Sequence, residues 1–160
     1  MLYGYSFQTV IGEFGVVESN GKIVEVLLPG ETMPMDIVLG ETKLLLEARR
    51  QLEEYLDGER KEFDLPIFYE STDFIEAVWS SLRNIAYGTT NSYKDIAISV
   101  GKPKAARAVG MANNRNPLPI IIPCHRVIGS KGKMVGYAGG LNLKKQLLEL
   151  ERIVCENEGK

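Results

Sequence analysis

The sequence predicts a mixed α/β (α+β) chain in two parts, a small antiparallel sheet covered by a helix and then a mostly helical domain. Two observations predict this class. Near the N-terminus, apolar and polar residues alternate around a strong hairpin signal, and the second half holds several short helical patterns separated by glycine and proline. The chain has 160 residues, 44% of them hydrophobic, which suffices for one ordinary core or two small ones. We place the domains at residues 1–71 and 72–160.

Three strands form the predicted sheet. They cover Leu2 to Thr9, Phe14 to Glu18 and Ile23 to Leu28, and Asn20-Gly21 lies between the last two. Asn-Gly is a strong hairpin signal because both central residues of the tight turn must take positive φ. We therefore expect consecutive antiparallel pairing.

A helix from Thr42 to Asp57 should cover this sheet, and Gly58 provides its stop. Its apolar residues recur at helical spacing: Leu44, Leu45, Ala48, Leu52 and Leu56. Its carboxylates, such as Glu53 and Glu54, fit a solvated helix face. Nothing in this first domain indicates chemistry.

The boundary between the domains lies where a short predicted strand, Leu65 to Tyr69, gives way to a new helix. Asp73 is the expected N-cap of that helix, with Glu76 three residues on. The helix should end near Gly88 and bury Trp79 in the core.

Two further short helices resemble a helix-turn-helix, which predicts a winged-helix-like domain. Ser92 caps the first helix, which ends at Gly101, and Pro103 can occupy the first turn of the second. The second helix carries small residues and two cations: Ala105, Ala106, Ala108, Gly110, Lys104 and Arg107. Such a helix can approach DNA closely or pack tightly in a core, and the residues alone leave both interpretations open.

The charge of the chain is unevenly distributed. The net charge is −2, which argues against a nucleic-acid partner until it is resolved along the chain. Between Thr89 and Lys145 there are ten basic residues and one acid, giving +9, so the remainder carries −11. The basic residues are Lys94, Lys102, Lys104, Arg107, Arg115, Arg126, Lys131, Lys133, Lys144 and Lys145. This split predicts one basic, phosphate-facing lobe, with accidental segregation on a solvated surface as the alternative.

Composition also limits the class of protein. We find no secretion signal and no apolar stretch long enough for a membrane span, so we expect a soluble, cytoplasmic protein without membrane partners. Cys124 and Cys155 are then expected to be free thiols in a reducing compartment. One histidine and two cysteines make a closed zinc site improbable.

The stretch Pro123 to Ile128 places a thiol beside the chain's only histidine. It follows the apolar run Leu118 to Ile122, which predicts a brief buried strand. An imidazole near Cys124 can generate the reactive thiolate near neutral pH. On a strand, however, His125 would point to the opposite face, so it reaches the sulfur only if the chain turns or through a water. A buried, inert thiol is the alternative for an isolated Cys-His pair.

The residues around this pair resemble a known family. The matching stretches run from Asn116 to Val127, from Gly136 to Gly140 and from Leu147 to Glu151. They look like those of the O6-alkylguanine-DNA alkyltransferases, the methylated-DNA-protein-cysteine methyltransferases. The resemblance covers about half of the chain at motif level, and its Asn-Pro…Pro-Cys-His-Arg-Val string is far more specific than a lone Cys-His pair.

The resemblance implies repair of O6-alkylguanine by transfer of the alkyl group to Cys124, once per protein molecule and without a cofactor. His125 would act through a water as the base, and Glu151 would orient the imidazole. Tyr93 would supply a proton to the leaving guanine, and Asn116 would tie the turn together through backbone groups. From the residues alone, Glu151 could equally be a surface carboxylate and Tyr93 a core aromatic.

The resemblance also implies double-stranded DNA as the partner of a monomer, with the second helix in the minor groove and the damaged base flipped out. Arg107 would fill the gap in the stack, although a phosphate contact is open. The other implied DNA contacts are Tyr93, Lys104, Ala106, Gly110 and Arg115. The base pocket would be lined by Val127, Tyr137, Ala138 and Gly139.

The sequence departs from the family pattern at three positions, and three other functions are alternatives. Ala138 stands where some members have Ser, Leu150 where some have His, and Ile75 where Gln is usual. A lesion-binding protein without transfer is the main alternative, and Cys124 argues against it. A transcriptional regulator would need a ligand domain or dimerisation helix, and a Cys-His hydrolase would leave the basic lobe without a purpose.

Overall fold

The computed structural model describes residues 1–134, 137 and 139–159. The chain divides into two compact units. The first comprises Met1–Tyr69 and Pro117–Ile121, and the second comprises Glu70–Asn116 and Ile122–Lys160. The predicted fold class is confirmed, with a small sheet in the first unit and mostly helices in the second.

The first unit is built on a four-stranded sheet of order β3-β2-β1-β4. The strands are β1 (Leu2–Thr9), β2 (Gly12–Ser19), β3 (Lys22–Leu27) and β4 (Val38–Leu39). The three predicted strands pair antiparallel in sequence order, and Asn20 and Gly21 take φ values of 51° and 75° between them. The sheet is not purely antiparallel as predicted, because the short edge strand β4 runs parallel to β1.

The helix α1 (Lys43–Leu56) packs against this sheet. The Thr42 hydroxyl accepts a hydrogen bond from the Leu45 N–H at 3.1 Å, which satisfies a backbone donor at the helix start. Gly58, with φ of 78°, follows the last turn. The predicted helix is confirmed, and its buried residues are Leu45, Ala48, Gln51, Leu52, Tyr55 and Leu56.

Two predicted strands are wrong. Leu65 to Tyr69 makes a single parallel bridge, between Ile67 and Ile23. Leu118 to Ile122 forms a bend and a turn with single bridge residues at Pro119 and Ile122 instead of a strand, and Ile120 has a φ of 74°. Each segment contains a proline, Pro66 or Pro119, which supplies no N–H to a ladder, and the positive φ of Ile120 turns the chain in the second. Residues Pro117–Ile121 cluster with the first unit, although we placed them in the second domain, and the Val26 N–H donates to the Pro117 carbonyl at 2.8 Å.

The second unit holds four helices and a two-stranded parallel sheet within its described residues. The elements are α2 (Asp73–Arg83), β5 (Asn91–Ser92), α3 (Tyr93–Ser99), α4 (Ala106–Asn114), β6 (Val127–Ile128) and α5 (Leu141–Glu158), with β5 paired to β6. Helices α3 and α4 form the predicted helix-turn-helix, and Ser92 caps α3 in a capping box with Asp95. Across the described part of the chain, no helix is long and apolar enough to cross a membrane.

The ends of two helices differ from the predictions. Thr72, not Asp73, caps α2, since its hydroxyl accepts from the Ile75 N–H at 3.2 Å. That helix ends at Arg83, well before Gly88. Helix α4 begins at Ala106 because the preceding residues form a turn closed by the Ala105 N–H on the Lys102 carbonyl at 2.9 Å.

Candidate active site

Cys124 lies in a 3-10 turn, Cys124–Arg126, and not on a strand. Its N–H donates to the Ile122 carbonyl at 2.7 Å, and the Arg126 N–H donates to the Pro123 carbonyl at 3.0 Å. The turn satisfies the condition under which His125 can serve the thiol, because side chains no longer alternate between two faces. Cys124 is 4% exposed and His125 is fully buried.

Two asparagine side chains hold the backbone around the nucleophile. The Asn116 amide donates to the Ile122 carbonyl at 2.8 Å, as expected for a residue that ties the turn together. The Asn113 amide donates to the Cys124 carbonyl at 3.2 Å. Sequence reasoning missed Asn113, although its spacing of three from Asn116 places both on one side of a helix end. The carbonyls on both sides of Pro123 are therefore fixed by the end of α4.

His125 and Glu151 are in contact, as the resemblance implied. His125 Nε2 lies 2.7 Å from Glu151 Oε2, and both side chains are completely buried. An ionised carboxylate only accepts hydrogen bonds, so the imidazole hydrogen is assigned to Nε2 and Nδ1 is the nitrogen that can take up a proton. Glu151 is thus not a surface carboxylate.

Arg126 completes this cluster and was missed as a site residue. Its Nε donates to Glu151 Oε1 at 2.9 Å, and its terminal nitrogens donate to Glu151 Oε2 at 3.1 Å and to the Ile85 carbonyl at 2.8 Å. The Gly88 N–H also donates to Glu151 Oε1, at 3.0 Å. Gly88, predicted as a helix stop, instead serves the buried carboxylate.

Burial and these contacts set the protonation of the pair. Burial alone would raise the pKa of Glu151, but the hydrogen bonds and charges of His125 and Arg126 outweigh it and lower this pKa to about 2. Burial lowers the pKa of His125 from 6.5, against the attraction of Glu151 and together with the charges of Arg126 and Lys144. The resting pair is therefore a neutral imidazole beside a carboxylate.

The thiol of Cys124 is protonated at rest. Burial raises its pKa to about 11, while hydrogen bonding from Asn116, the charge of Lys144 and hydrogen bonding from Tyr137 act in the opposite direction. Burial, and after it the charge of Cys124, raises the pKa of Tyr93. The site consequently needs a base to produce thiolate, and the tyrosine keeps its proton.

Lys144 is a second buried cation that sequence reasoning placed elsewhere. Its side chain is fully buried, and its Nζ donates to the Val127 carbonyl at 2.5 Å. The same nitrogen lies 5.9 Å from the centre of the Tyr93 ring. Arg126 and Lys144 were both counted in the phosphate-facing lobe, and for these two the prediction is wrong because both are buried.

Helix α4 has one buried face and one open face. Val109, Ala112 and Asn113 are buried, whereas Arg107 and Arg115 are exposed. Lys104, just before the helix, is exposed as well, and Ala106 and Gly110 are half-buried. A Cβ built on Gly110 would lie 3.7 Å from Tyr93 Cε1, an ordinary van der Waals distance, so the tyrosine ring lies close beside this position of the helix. The helix is packed on one side only.

Three of the four predicted pocket residues are among the described residues. Val127 and Tyr137 are buried, and Gly139 is half-buried. Ala138 lies outside the described residues. Among the residues that are described, no three His, Cys, Asp or Glu side chains are grouped closely enough to hold a metal ion. Cys124 and Cys155 are both free thiols, as predicted.

Comparison with known proteins gives the family. The family model "6-O-methylguanine DNA methyltransferase, DNA binding domain" matches residues 73–153, and "6-O-methylguanine DNA methyltransferase, ribonuclease-like domain" matches residues 1–69. The constitutive methylated-DNA--protein-cysteine methyltransferase of Bacillus subtilis is 44% identical, over 96% of this chain and 97% of its own. That of Methanosarcina barkeri is 60% identical, over 68% of this chain and 69% of its own.

Solved structures agree with the sequences. The crystal structure of Mycobacterium tuberculosis OGT in complex with DNA has a TM-score of 0.89 and 39% identity, covering 95% of this chain and 94% of that chain. Two family models, relatives along nearly the whole length and a shared structure all point the same way. The chain belongs to the 6-O-methylguanine DNA methyltransferase family.

Proposed function

We propose that this protein repairs DNA by transferring the alkyl group of O6-alkylguanine directly to the thiol of Cys124. The observation that carries the proposal is a buried cysteine in a turn, followed by a neutral histidine whose ring is held by a buried carboxylate. The relatives named methylated-DNA--protein-cysteine methyltransferase support the same activity for this chain.

The transfer is a displacement at the alkyl carbon. His125 takes the thiol proton through a water, and the sulfur forms a bond to the alkyl carbon. The bond between that carbon and guanine O6 breaks, and its electrons go to the guanine. Tyr93 supplies a proton to the leaving guanine; burial raises the pKa of its hydroxyl, which is therefore protonated and able to donate at neutral pH. Glu151 orients the imidazole and stabilises it while it carries the proton.

The lesion has to leave the duplex to reach a thiol that is 4% exposed. We propose that the open face of α4 enters the minor groove, that Arg107 fills the space left by the flipped base, and that Lys104 and Arg115 contact the backbone. Ala106 and Gly110 would permit close approach. Eight cations of the basic segment remain for phosphate contacts after Arg126 and Lys144 are removed from the ten.

The product is a thioether, which water does not cleave, so one protein molecule removes one lesion. No cofactor takes part in this scheme. A lesion-binding protein that does not transfer the alkyl group is the second candidate, but a nucleophile beside an oriented base gives it no support. Action as a monomer in the cytoplasm stays a prediction from the sequence.

The test is a titration of duplex DNA containing one O6-methylguanine with increasing protein, followed by base analysis of the DNA. We expect loss of the modified base in proportion to protein, ending at one equivalent, and no loss with Cys124→Ser. Repeated turnover would contradict the stoichiometric scheme. Binding of the lesion without its loss would establish the lesion-binding alternative.

A further inference from the structure

The carboxylate of Glu151 is saturated with donors. Oε1 accepts from Arg126 Nε and from the Gly88 N–H, and Oε2 accepts from His125 and from a second Arg126 nitrogen at 3.1 Å. The arginine is itself fixed at its far side by the Ile85 carbonyl, 2.8 Å away. A two-pronged guanidinium contact of this kind fixes both the position and the charge of a carboxylate.

The main consequence of this geometry concerns the protonation of the His125 imidazole. A buried carboxylate 2.7 Å from an imidazole strongly favours the protonated ring, and a protonated ring cannot accept the proton of the thiol. A base must be unprotonated at the operating pH to act. An ionised Glu151 without a counter-charge would therefore orient His125 correctly and disable it at the same time.

We propose that Arg126 is a positioning residue that neutralises Glu151 and thereby keeps His125 unprotonated and ready to accept the thiol proton. The inference rests on the proposed function only in that the base serves Cys124. Its physical content, the protonation of the imidazole, is independent of alkyl transfer.

Burial is the largest cause of the lowered pKa of His125, and the charges around the ring act in addition to it. From α5, Glu151 attracts a proton to the ring and Lys144 repels one. From the ring's own turn, Arg126 repels one, and Cys124 is a neutral thiol at rest. Tyr87 lies beyond the arginine, with its ring centre 5.4 Å from the guanidinium carbon, and burial raises its pKa to about 12, so it is uncharged. Among these, Arg126 alone binds the carboxylate that binds the ring.

The chain has a single histidine, so the ring can be observed directly. The experiment is nitrogen NMR of the imidazole in tag-free, ¹⁵N-labelled protein titrated from pH 5 to 9. In the unmodified protein we expect a neutral ring with hydrogen on Nε2 throughout pH 6.5 to 8. A ring that is protonated at pH 7 in this protein would overturn the proposal without any variant.

Arg126→Met should raise the pKa of His125 by about one unit or more, since one unit corresponds to the loss of roughly 1.4 kcal/mol of repulsion. Arg126→Lys keeps the positive charge and should shift the pKa of His125 much less. The low-pH limit of alkyl transfer should move with the ring in each variant. Circular dichroism and the single tryptophan report whether each variant folds, and Arg126→Gln replaces the methionine variant if that one does not.

The outcomes separate the two proposals. If the imidazole titrates at the same pH in a folded methionine or glutamine variant as in the unmodified protein, Arg126 does not control it and the inference fails. If the titration moves as expected but the unmodified protein transfers no alkyl group, the inference about the ring stands and the proposed function fails.

Discussion

Both units carry exposed ion pairs, but among the described residues only the second unit also buries one. In the first unit, the ion pairs lie on the open side of α1, where Arg50 pairs with Glu47 and Glu54 and its side chain is 54% exposed. In the second unit, Arg126 and Glu151 form an ion pair in which the carboxylate is completely buried. Exposed pairs contribute about 0 to 1 kcal/mol, whereas burying charge costs several kcal/mol that its contacts must offset.

This difference indicates which unit holds the functional site. Its first unit buries an apolar core with few polar groups, such as Gln51 and Glu18, which suits a structural role. The second unit buries His125, Arg126, Lys144 and Glu151, and all four lie in or against the turn of the nucleophile. A buried charge is weak evidence for stability, so we interpret this concentration as evidence for function.

Replacing Glu151 should have the largest effect. Glu151→Gln leaves Arg126 with a weakened partner and His125 without its carboxylate, so we expect a loss of about 3 to 5 kcal/mol in unfolding free energy and a large loss of transfer rate. Urea unfolding and single-turnover kinetics measure the two.

Glu149→Gln is the matched control, because Glu149 lies on the same helix and pairs with Arg152, but its side chain is 53% exposed. It should change stability little and leave transfer intact, because solvent screens an exposed pair. Equal effects of Glu151→Gln and Glu149→Gln on stability and transfer would contradict the distinction between buried and exposed ion pairs.

Acid should destabilise the second unit. The pKa of His125 is lowered from 6.5 and that of Glu151 from 4.5 to about 2, so the unfolded chain binds more protons than the folded one as pH falls. Stability should therefore decline below about pH 6.5, and Glu151 adds a loss of order 3 kcal/mol between pH 4.5 and 2.

The single tryptophan reports this decline, because Trp79 lies in α2 and its indole donates to the Ala112 carbonyl at 2.9 Å. Urea unfolding followed by its fluorescence at pH 7.5, 6 and 4.5 should show falling midpoints. A constant midpoint across this range would contradict the assigned protonation states.

Two buried amides, one in each unit, permit a sharper comparison. Gln51 bridges both backbone groups of Asp64 at 2.9 and 3.0 Å, and Asn113 binds the Cys124 carbonyl. Gln51→Ala and Asn113→Ala should each cost about 1 to 3 kcal/mol of stability. Only Asn113→Ala should slow transfer, as measured at protein concentrations where both variants are folded. Equal rates would show that the amide does not position the nucleophile.

Lys144 should have a smaller effect on rate, about tenfold. Lys144→Met removes a buried positive charge that opposes the raised pKa of Cys124, so thiolate should become scarcer by about tenfold per unit of pKa. The deficit should shrink as pH rises toward 10. Lys145→Met, at an exposed neighbouring position, is the control and should leave the pH dependence of transfer unchanged. A deficit independent of pH would point to packing instead of charge.

Local patterns predicted much of the fold and the central residues of the site. Alternation and the Asn20-Gly21 turn identified the sheet, and helical spacing identified α1, because these signals act between near neighbours in sequence. They failed at Leu65 to Tyr69 and at Leu118 to Ile122, where burial suggested strands but each segment contains a proline.

The rest of the site depends on contacts that no local pattern encodes. Arg126 and Lys144 look like ordinary surface cations in sequence, but contacts between distant segments, including the contact of α5 with the Cys124 turn, bury them. Gly88 and Asn113 likewise acquire their roles through partners 63 and 11 residues away. The resemblance supplied Glu151, which spacing alone could not have placed beside His125.

The two thiols of the second unit provide the most direct test of the account. Cys124 is buried beside His125, Glu151 and Lys144, whereas Cys155 is half-buried near the end of α5. The measurement is peptide mass spectrometry after mixing the protein with duplex DNA that holds one O6-methylguanine. The account predicts one methyl group on Cys124, none on Cys155 and none on a Cys124→Ser variant. Methylation of Cys155, or lesion loss with no methyl group on Cys124, would contradict it.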